Sequence, residues 1–296
     1  MDYDQKVLRK LQLTQLEILK DIDVFCKKNK ITYMLAYGTL IGAVRHGGFI
    51  PWDDDIDIHM PRADYQKFLK LAKEGMKEKY DILNIYETPG YISPFLKVSR
   101  KGTEFVEATN SNPRYHHGIF VDVFPLDYAA NDEKTRNRNR KLAWFWAKVC
   151  ILCEISDPII GGNVTGNEPN MSKVRKTIAK YGCKFAHGIL RLIRFDKVKA
   201  YRKHLRYAAM FDRRKDQRKY LADFCGSVPH KTNFLASDML PAKPVSFEGY
   251  EFMGPNHTDG VLKTTYGDYM KLPPEDKRHN HMAKKLVFAD ENNTLV

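Results

Sequence analysis

The chain has 296 residues, of which 43% are hydrophobic and 12% aromatic, and its formal net charge is +13. This composition excludes an intrinsically disordered chain, and the length allows one large domain or two. Five scattered cysteines indicate reduced thiols in a cytoplasm rather than a disulfide framework. Because no apolar run is long enough to cross a bilayer as a helix, we expect a globular protein without a transmembrane helix.

The first 130 residues predict an α/β core. Residues 1–30 have the apolar spacing of one amphipathic helix, with no apolar segment of a cleaved signal before it. Residues 31–58 predict a strand, a turn with a helix, and a second strand that ends at Met60-Pro61-Arg62, and residues 63–79 have helical composition. Three β-rich runs follow at 82–86, 95–99 and 119–124. The predicted fold class is α/β (α+β), with a mixed sheet.

The pattern of residues 131–296 predicts a helical, basic insertion, followed by a segment that returns to the core. Residues 142–155 are strongly apolar and carry a C-x-x-C pair, Cys150 and Cys153, which we interpret as buried structural thiols. Residues 173–219 hold seventeen Lys or Arg and three Asp. Farther on, the pattern predicts a hairpin over 244–253 and a short helix over 259–266. We divide the chain into a core (1–130), a basic helical insertion (131–225) and a C-terminal segment (226–296).

The segment 37–58, YGTLIGAVRHGGFIPWDDDIDI, joins a glycine-rich turn to a carboxylate cluster. Asp55 and Asp57 alternate with two isoleucines, so on a strand both carboxylates point to one face. Asp53 lies one period farther back on the same side. Because three acceptor-only side chains repel one another, such a cluster usually needs a cation, and hard oxygen ligands favour Mg²⁺ or Mn²⁺. The alternative is a solvated acidic turn.

Four glycines precede the cluster, at Gly38, Gly42, Gly47 and Gly48, and they allow close backbone approach. A helix that starts near Thr39 would direct free N–H groups at an anion such as a phosphate. The turn matches neither a Walker A loop nor a dinucleotide-binding fingerprint. The candidate substrate-binding residues of this segment are Gly38, Thr39, Arg45, His46 and Trp52.

A second element carries a single acid on an apolar strand. Asp122 lies at the centre of residues 119–124, and a lone buried acid needs a partner. Placed beside the first cluster, Asp122 would hold a metal or accept the proton of an attacking hydroxyl. The alternative is a carboxylate that accepts hydrogen bonds from a neighbouring turn. Lys97 and Arg100, at the strand 95–99, are candidates for phosphate contacts or for solvated surface cations.

Three stretches, 37–58, 120–126 (FVDVFPL) and 266–277 (YGDYMKLPPEDK), together resemble the LicD family, whose members transfer phosphocholine or related phosphoalcohols onto glycans. Fukutin-type ribitol-phosphate transferases are similar in the first stretch. The resemblance implies a nucleotidyltransferase-like fold and a Mg²⁺-dependent (or Mn²⁺-dependent) enzyme. In its reaction a sugar hydroxyl attacks a CDP-activated donor such as CDP-choline, and CMP leaves. The implied metal ligands are Asp53, Asp55, Asp57 and Asp122, and the implied catalytic residues are Asp55, Asp57 and Asp122.

The implied acceptor is a lipid-linked or cell-surface glycan precursor such as teichoic acid or lipopolysaccharide. The basic insertion favours an anionic membrane surface as a partner, so we expect a cytoplasmic enzyme on the inner face of the membrane. A solvated basic face is the alternative. Two other functions remain open, a nucleotidyltransferase acting on an NTP and a non-catalytic basic RNA- or membrane-binding protein. We expect no nucleic-acid partner, since no binding motif is present. His279 and His281 are further candidates for a phosphate contact.

Overall fold

The computed structural model describes residues 3–107, 114–156, 172–226, 233–278, 280 and 282–289. The fold is mixed α/β, as the sequence predicts. The helices are α1 (Gln5–Asn29), α2 (Tyr37–His46), α3 (Arg62–Gly75), α4 (Glu133–Glu154), α5 (Lys173–Leu192), α6 (Lys197–Ala208), α7 (Ala236–Met239) and α8 (Thr258–Tyr266). The strands are β1 (Met34–Leu35), β2 (Asp57–Pro61), β3 (Tyr80–Leu83), β4 (Leu96–Arg100), β5 (Glu104–Val106), β6 (Phe120–Ala129), β7 (Tyr220–Ala222), β8 (Phe234–Leu235), β9 (Lys243–Phe247), β10 (Tyr250–Gly254) and β11 (Lys285–Val287).

Within the described residues, seven strands form one mixed sheet in the order β1-β2-β6-β4-β3, with β7 paired to β6 and β8 to β7. The central strand β6 runs parallel to β2 and antiparallel to β4. Strand β7 lies in the predicted insertion, yet it pairs with the distal half of β6. Two small antiparallel pairs, β9 with β10 and β5 with β11, complete the strands of the described part.

One large apolar core joins α1 to this sheet. Leu11, Ile18 and Leu19 of α1 are fully shielded from solvent and share a cluster with Ile58 of β2 and Val121 of β6. Each such side chain contributes about 1.5–3 kcal/mol by leaving water. The amphipathic pattern predicted for residues 1–30 is therefore confirmed, and its apolar face anchors the helix across the strands.

Most predicted elements occur, and the differences concern their ends. The hairpin turns at Gly249, and α8 ends at Gly267, as predicted. The acidic segment becomes a strand only from Asp57, because residues 53–56, which follow the turn at Pro51 and Trp52, lie outside the sheet. The strand β2 ends within Met60-Pro61-Arg62, as predicted, with Met60 and Pro61 still paired to β6 and α3 starting at Arg62.

The insertion is largely helical. Helix α4 begins in the polar segment because Asp132 caps it, accepting a hydrogen bond from the Thr135 amide at 2.7 Å. All five cysteines are free. The Cys150 thiol donates to the Lys197 carbonyl, and the Cys153 thiol donates to the Phe195 carbonyl. The thiols are thus structural, as predicted, although Cys153 is only partly buried. No helix of the described part combines the length and apolar character needed to cross a bilayer.

A buried histidine joins α6 to α4. His204 is inaccessible to solvent, its Nδ1 lies 3.0 Å from the Ala143 carbonyl oxygen, and its ring stacks on Tyr201. Burial lowers the pKa of His204 to about 4. The neutral ring therefore donates from Nδ1 to the carbonyl, and protonation would place a charge in an apolar contact.

We expect His204→Gln to reduce the loss of stability on acidification. Because the unfolded imidazole takes up a proton near pH 6.5 and the folded one only near pH 4, the unfolded state binds more protons between these values. The stability contribution of His204 is therefore complete above pH 6.5 and falls as the pH is lowered. Urea unfolding at pH 7 and pH 5 should show a decrease about 2 kcal/mol smaller in the variant. Equal decreases in both proteins would contradict this role.

Candidate active site

Three charged side chains lie in one row across the centre of the sheet. In the register of β2 and β6, Asp57 stands opposite Asp122, and in the register of β6 and β4, Asp122 stands opposite Lys97. Directly paired residues on neighbouring strands project to the same face of a sheet. Lys97 Nζ lies 3.4 Å from Asp122 Oδ1 and 3.3 Å from Glu107 Oε2. The two motifs that the sequence predicts to converge are thus adjacent in the fold.

Two glutamines of α1 hold the backbone before β2. Gln12 Nε2 donates to the Asp53 carbonyl at 2.9 Å, and Gln15 Nε2 donates to the Asp54 carbonyl at 2.8 Å. Both glutamines are buried on the apolar face of the helix. Buried amides on such a face need polar partners, and this is the sequence signal by which they could have been recognised. They fix the turn from which the acidic side chains project.

The N-terminus of α2 lies against the same turn. Thr39 Oγ1 accepts a hydrogen bond from the Asp57 amide at 2.9 Å, which ties the helix to the start of β2. At Gly38 a Cβ atom would lie 2.7 Å from Asp53 Oδ2, so this carboxylate approaches the first turn of the helix where no side chain fits. The positive end of the helix dipole favours a carboxylate at this position. Gly38 leaves room for the Asp53 carboxylate, and Thr39 fixes the backbone at Asp57, so both residues position the carboxylate cluster.

Tyr37 begins α2 in the left-handed region, with φ of 45°. Its hydroxyl donates to Asp223, and its ring packs edge-on against His59 at 4.8 Å and Phe124 at 5.5 Å between centroids. Burial lowers the pKa of His59 to about 3, so this ring is neutral and belongs to the packing. A non-glycine residue with positive φ stores backbone strain, and such strain clusters at functional sites.

The electrostatics of the row reflect burial and crowding of negative charge. The pKa of Asp57 is well above its usual value, first because of burial and then because of Asp55, Asp122 and Asp53. Burial raises the pKa of Asp122 to about 7 although Lys97 opposes the shift. Burial alone would lower the pKa of Lys97, but Asp122 and Glu107 outweigh it and raise that pKa. Strongly perturbed titratable groups beside one another are typical of catalytic sites.

Other predicted residues lie away from the row. Arg45 and His46 form the last turn of α2, about 12 Å along the axis from its start at 1.5 Å per residue. Arg45 donates to the Tyr269 carbonyl at 2.6 Å and to His46 at 3.0 Å. The Arg278 guanidinium lies over the Trp52 ring, 5.0 Å from its centroid. The structure thus separates Arg45 and His46 from the carboxylates.

The second half of the glycine-rich turn has a structural contact. Gly47 has φ of 71° and ends α2, and its carbonyl accepts a hydrogen bond from the Glu248 amide at 2.9 Å. A side chain at Gly48 would meet the Glu248 carboxylate, which also accepts from the Phe49 amide. These two glycines therefore seat the turn on the tip of the β9–β10 hairpin.

Lys97 and Arg100 have different environments. Lys97 is buried in an interior strand, so it is not the surface cation that one interpretation of the sequence allowed. Arg100 lies three residues farther along β4 and lines a surface hollow with Asp21 and Tyr80. Alternate strand residues face opposite sides, so Arg100 does not join the row. His279 and His281 lie outside the described residues.

The donor set fits a divalent cation in its chemistry. Four carboxylates, Asp53, Asp55, Asp57 and Asp122, face one buried ammonium, and carboxylate oxygens are the ligands that Mg²⁺ prefers. Asp122 Oδ1 is buried and, among the described residues, receives the 3.4 Å ion pair but no well-formed hydrogen bond. No three His, Cys, Asp or Glu side chains of the described ranges already stand as a set that holds an ion.

The acids on adjacent strands and the helix N-terminus beside them lie within a stretch that matches a known family. Residues 30–149, which contain the whole row, match the family model described as LicD/FKTN/FKRP, nucleotidyltransferase domain. The chain is also similar to the lipopolysaccharide cholinephosphotransferase LicD of Haemophilus influenzae, with 29% identity over 307 residues, 95% of this chain and 98% of that protein. Residues 30–149 thus belong to the LicD/FKTN/FKRP nucleotidyltransferase-domain family, and the similarity to LicD extends over nearly the whole chain.

Shorter similarities occur with two uncharacterized proteins. One, of Rickettsia typhi, is 39% identical over 77 residues, which are 26% of this chain and 25% of that protein. The other, of Rickettsia prowazekii, is 42% identical over 59 residues, 20% of this chain and 22% of that protein. These partial matches add no functional assignment, since neither protein has a described activity.

Proposed function

We propose that the protein is a phosphotransferase that moves phosphocholine from CDP-choline to a hydroxyl of a cell-surface glycan precursor, such as lipopolysaccharide or teichoic acid. The observation that carries this proposal is the row in which Asp57 of β2 stands beside Asp122 of the parallel strand β6, and Asp122 beside Lys97 of the antiparallel strand β4. Similarity over nearly the whole chain to a cholinephosphotransferase supports the choice of donor. In the reaction the acceptor oxygen bonds to the distal phosphorus, the bond from that phosphorus to the bridging oxygen breaks, and CMP leaves.

The residues of the row and the two aspartates before it have separate tasks in this proposal. Asp53, Asp55 and Asp57 would hold Mg²⁺ or Mn²⁺, which would supply positive charge to neutralise the donor phosphates. Asp122, with a pKa of about 7, accepts the proton of the attacking hydroxyl, since a base works best near the operating pH. Lys97 contacts Asp122 through its ion pair and keeps that carboxylate in position.

An aromatic group beside the row is suited to choline. Tyr91 packs edge-on against Tyr115 at 5.7 Å, and Tyr115 stacks on His117 at 4.1 Å between centroids. The pKa of Tyr91 is raised first by burial and then by the negative charge of Asp122. A quaternary ammonium binds the faces of aromatic rings. We therefore assign the choline group to the partly exposed ring of Tyr115, with the fully buried Tyr91 packed behind it.

The proposed acceptor is lipid-linked, so the enzyme would work at the cytoplasmic face of the membrane without a span of its own among the described helices. Product analysis tests the reaction. The purified protein is incubated with Mg²⁺ and either CDP-choline or CTP, together with a cell-envelope extract as acceptor. We expect CMP from CDP-choline and no pyrophosphate from CTP. Pyrophosphate from CTP would assign a nucleotidyltransferase, and turnover of neither compound would overturn the proposal.

We expect Gly38→Ala to lower CMP release by about a hundredfold, since a displacement of about 1 Å in a catalytic group costs this much. The new methyl group would lie 2.7 Å from Asp53 Oδ2 and push the carboxylate from the cluster. The matched control is Gly188→Ala in α5, where the added Cβ meets nothing within 4 Å. Initial rates at saturating CDP-choline make the comparison, and an unimpaired Gly38→Ala enzyme would contradict this role of Asp53.

A further inference from the structure

Helix α5 carries an apolar stripe that faces solvent. Ile178, Tyr181, Phe185, Ile189 and Leu192 follow one another at intervals of three or four residues and therefore lie on one side of the helix. Their exposed fractions run from 42% at Ile189 to 83% at Leu192. Large apolar side chains with this exposure on a single face mark an interaction surface rather than scattered surface residues.

The opposite side of α5 holds the helix to the protein. His187 Nδ1 lies 2.7 Å from the Leu152 carbonyl oxygen near the end of α4, and the side chain of His187 is partly buried. Ala179, Cys183, Ala186 and Leu190 on the same side are also partly buried. The apolar stripe is therefore not the face by which α5 packs, and its exposure is a property of the folded chain.

Basic residues border the stripe. Lys180, Lys184 and Arg191 each precede a stripe residue by one position, which places them about 100° around the helix, and all three are exposed. The region from 173 to 219 holds seventeen Lys or Arg against three Asp, so its surroundings are strongly positive. An aromatic and aliphatic face bordered by cations has the complementarity that a bilayer with anionic lipids requires.

We propose that α5 binds parallel to the surface of an anionic membrane, with the stripe inserted at the headgroup boundary and the bordering cations on lipid phosphates. The proposal rests on the proposed function, because it brings the enzyme to a lipid-linked acceptor. Long Lys and Arg side chains reach from such a face to the headgroups while their methylenes stay on apolar surface. The enzyme thereby associates with the membrane through one helix.

Vesicle co-sedimentation tests this surface. We expect the wild-type chain to bind phosphatidylglycerol–phosphatidylcholine vesicles, to bind pure phosphatidylcholine vesicles weakly, and to dissociate as salt rises. Replacement of Phe185 and Leu192 by Ser should weaken binding at least about tenfold, because less apolar surface is inserted. The matched control replaces Val24 and Met270, which are 65% and 56% exposed elsewhere, by Ser and should bind as the wild type does.

Three results would overturn the proposal. The first is a wild-type chain that does not bind anionic vesicles, and the second is a Ser variant that binds them as tightly as the wild type. The third is a wild-type dimer in size-exclusion chromatography that is absent in the Ser variant, because this result would assign the stripe to a contact with a second copy of the chain. Calorimetric binding of CDP-choline with Mg²⁺ in vesicle-free buffer separates this proposal from the catalytic one. The Ser variant should bind the nucleotide as the wild type does. A wild-type chain that binds anionic vesicles but not CDP-choline would contradict the proposed function and leave the membrane surface supported.

Discussion

We expect Asp57→Asn to lose CMP release by at least about a thousandfold, because several kcal/mol of charge stabilisation at the donor phosphates disappear with this carboxylate. The amide is nearly the same size, so the pairing of β2 with β6 should persist. Initial rates with CDP-choline and Mg²⁺ measure the effect. The control is Asp81→Asn on β3, a partly exposed carboxylate in surface ion pairs, which should retain its rate within about twofold.

In the absence of divalent cations, Asp57→Asn should be more stable than the wild type. Because the pKa of Asp57 is raised in the folded state, the folded protein keeps this proton at pH values at which the unfolded carboxyl has already lost it. The free energy of unfolding therefore falls as the pH rises from the unfolded pKa to the folded one. Asn removes this cost. Thermal unfolding should show a gain for Asp57→Asn at pH 8 and a smaller gain at pH 5. An active Asp57→Asn enzyme, or one destabilised at pH 8, would contradict the assigned site.

Asp127→Asn should destabilise the fold by about 3–5 kcal/mol, since it leaves the Arg62 guanidinium buried without its partner. Arg62 Nε and Nη2 donate to the two carboxylate oxygens of Asp127, each at 2.6 Å, and the two side chains are 7% and 0% exposed. Arg62 directly follows β2 and Asp127 lies in the distal half of β6, so the pair clamps the same two strands that carry Asp57 and Asp122. Urea unfolding measures the loss.

The reciprocal change should be similarly costly. Arg62→Met leaves the Asp127 carboxylate buried without its partner, so we expect urea unfolding to show a loss of about 3–5 kcal/mol for this variant as well. The exposed pair Lys77–Glu74, at 2.7 Å, supplies the control, and Lys77→Met should cost less than about 1 kcal/mol. A cost this small for Asp127→Asn would show that the pair does not clamp the strands.

Alternation made the central part of the site predictable. Ile56 and Ile58 are fully buried on one side of the segment, and this fixes the opposite side for Asp55 and Asp57. The lone acid on an apolar strand identified Asp122, and the periods of α1 and the β9–β10 hairpin gave those elements their correct types. These features follow from local patterns whose period differs between helix and strand.

The long-range contacts could not be predicted from the sequence. Gln15, Glu248 and Asp127 each contact a partner at least 39 residues away, and no local pattern states which buried polar group meets which. The sequence predicted Arg45 near the carboxylates because both lie close to one turn, but ten residues of α2 place it at the far end of the helix. Register between strands, not proximity in sequence, decided that Lys97 joins the row and Arg100 does not.

The most direct test of the account is calorimetric titration of the purified chain with CDP-choline, with and without Mg²⁺, repeated for Asp57→Asn. The account predicts saturable binding by the wild type that requires Mg²⁺ and is lost in the variant, because Asp57 would be one of the carboxylates that hold the ion at the donor phosphates. Absence of binding in the wild type under both conditions, or equal binding by the variant, would contradict the assignment of this row as the donor site.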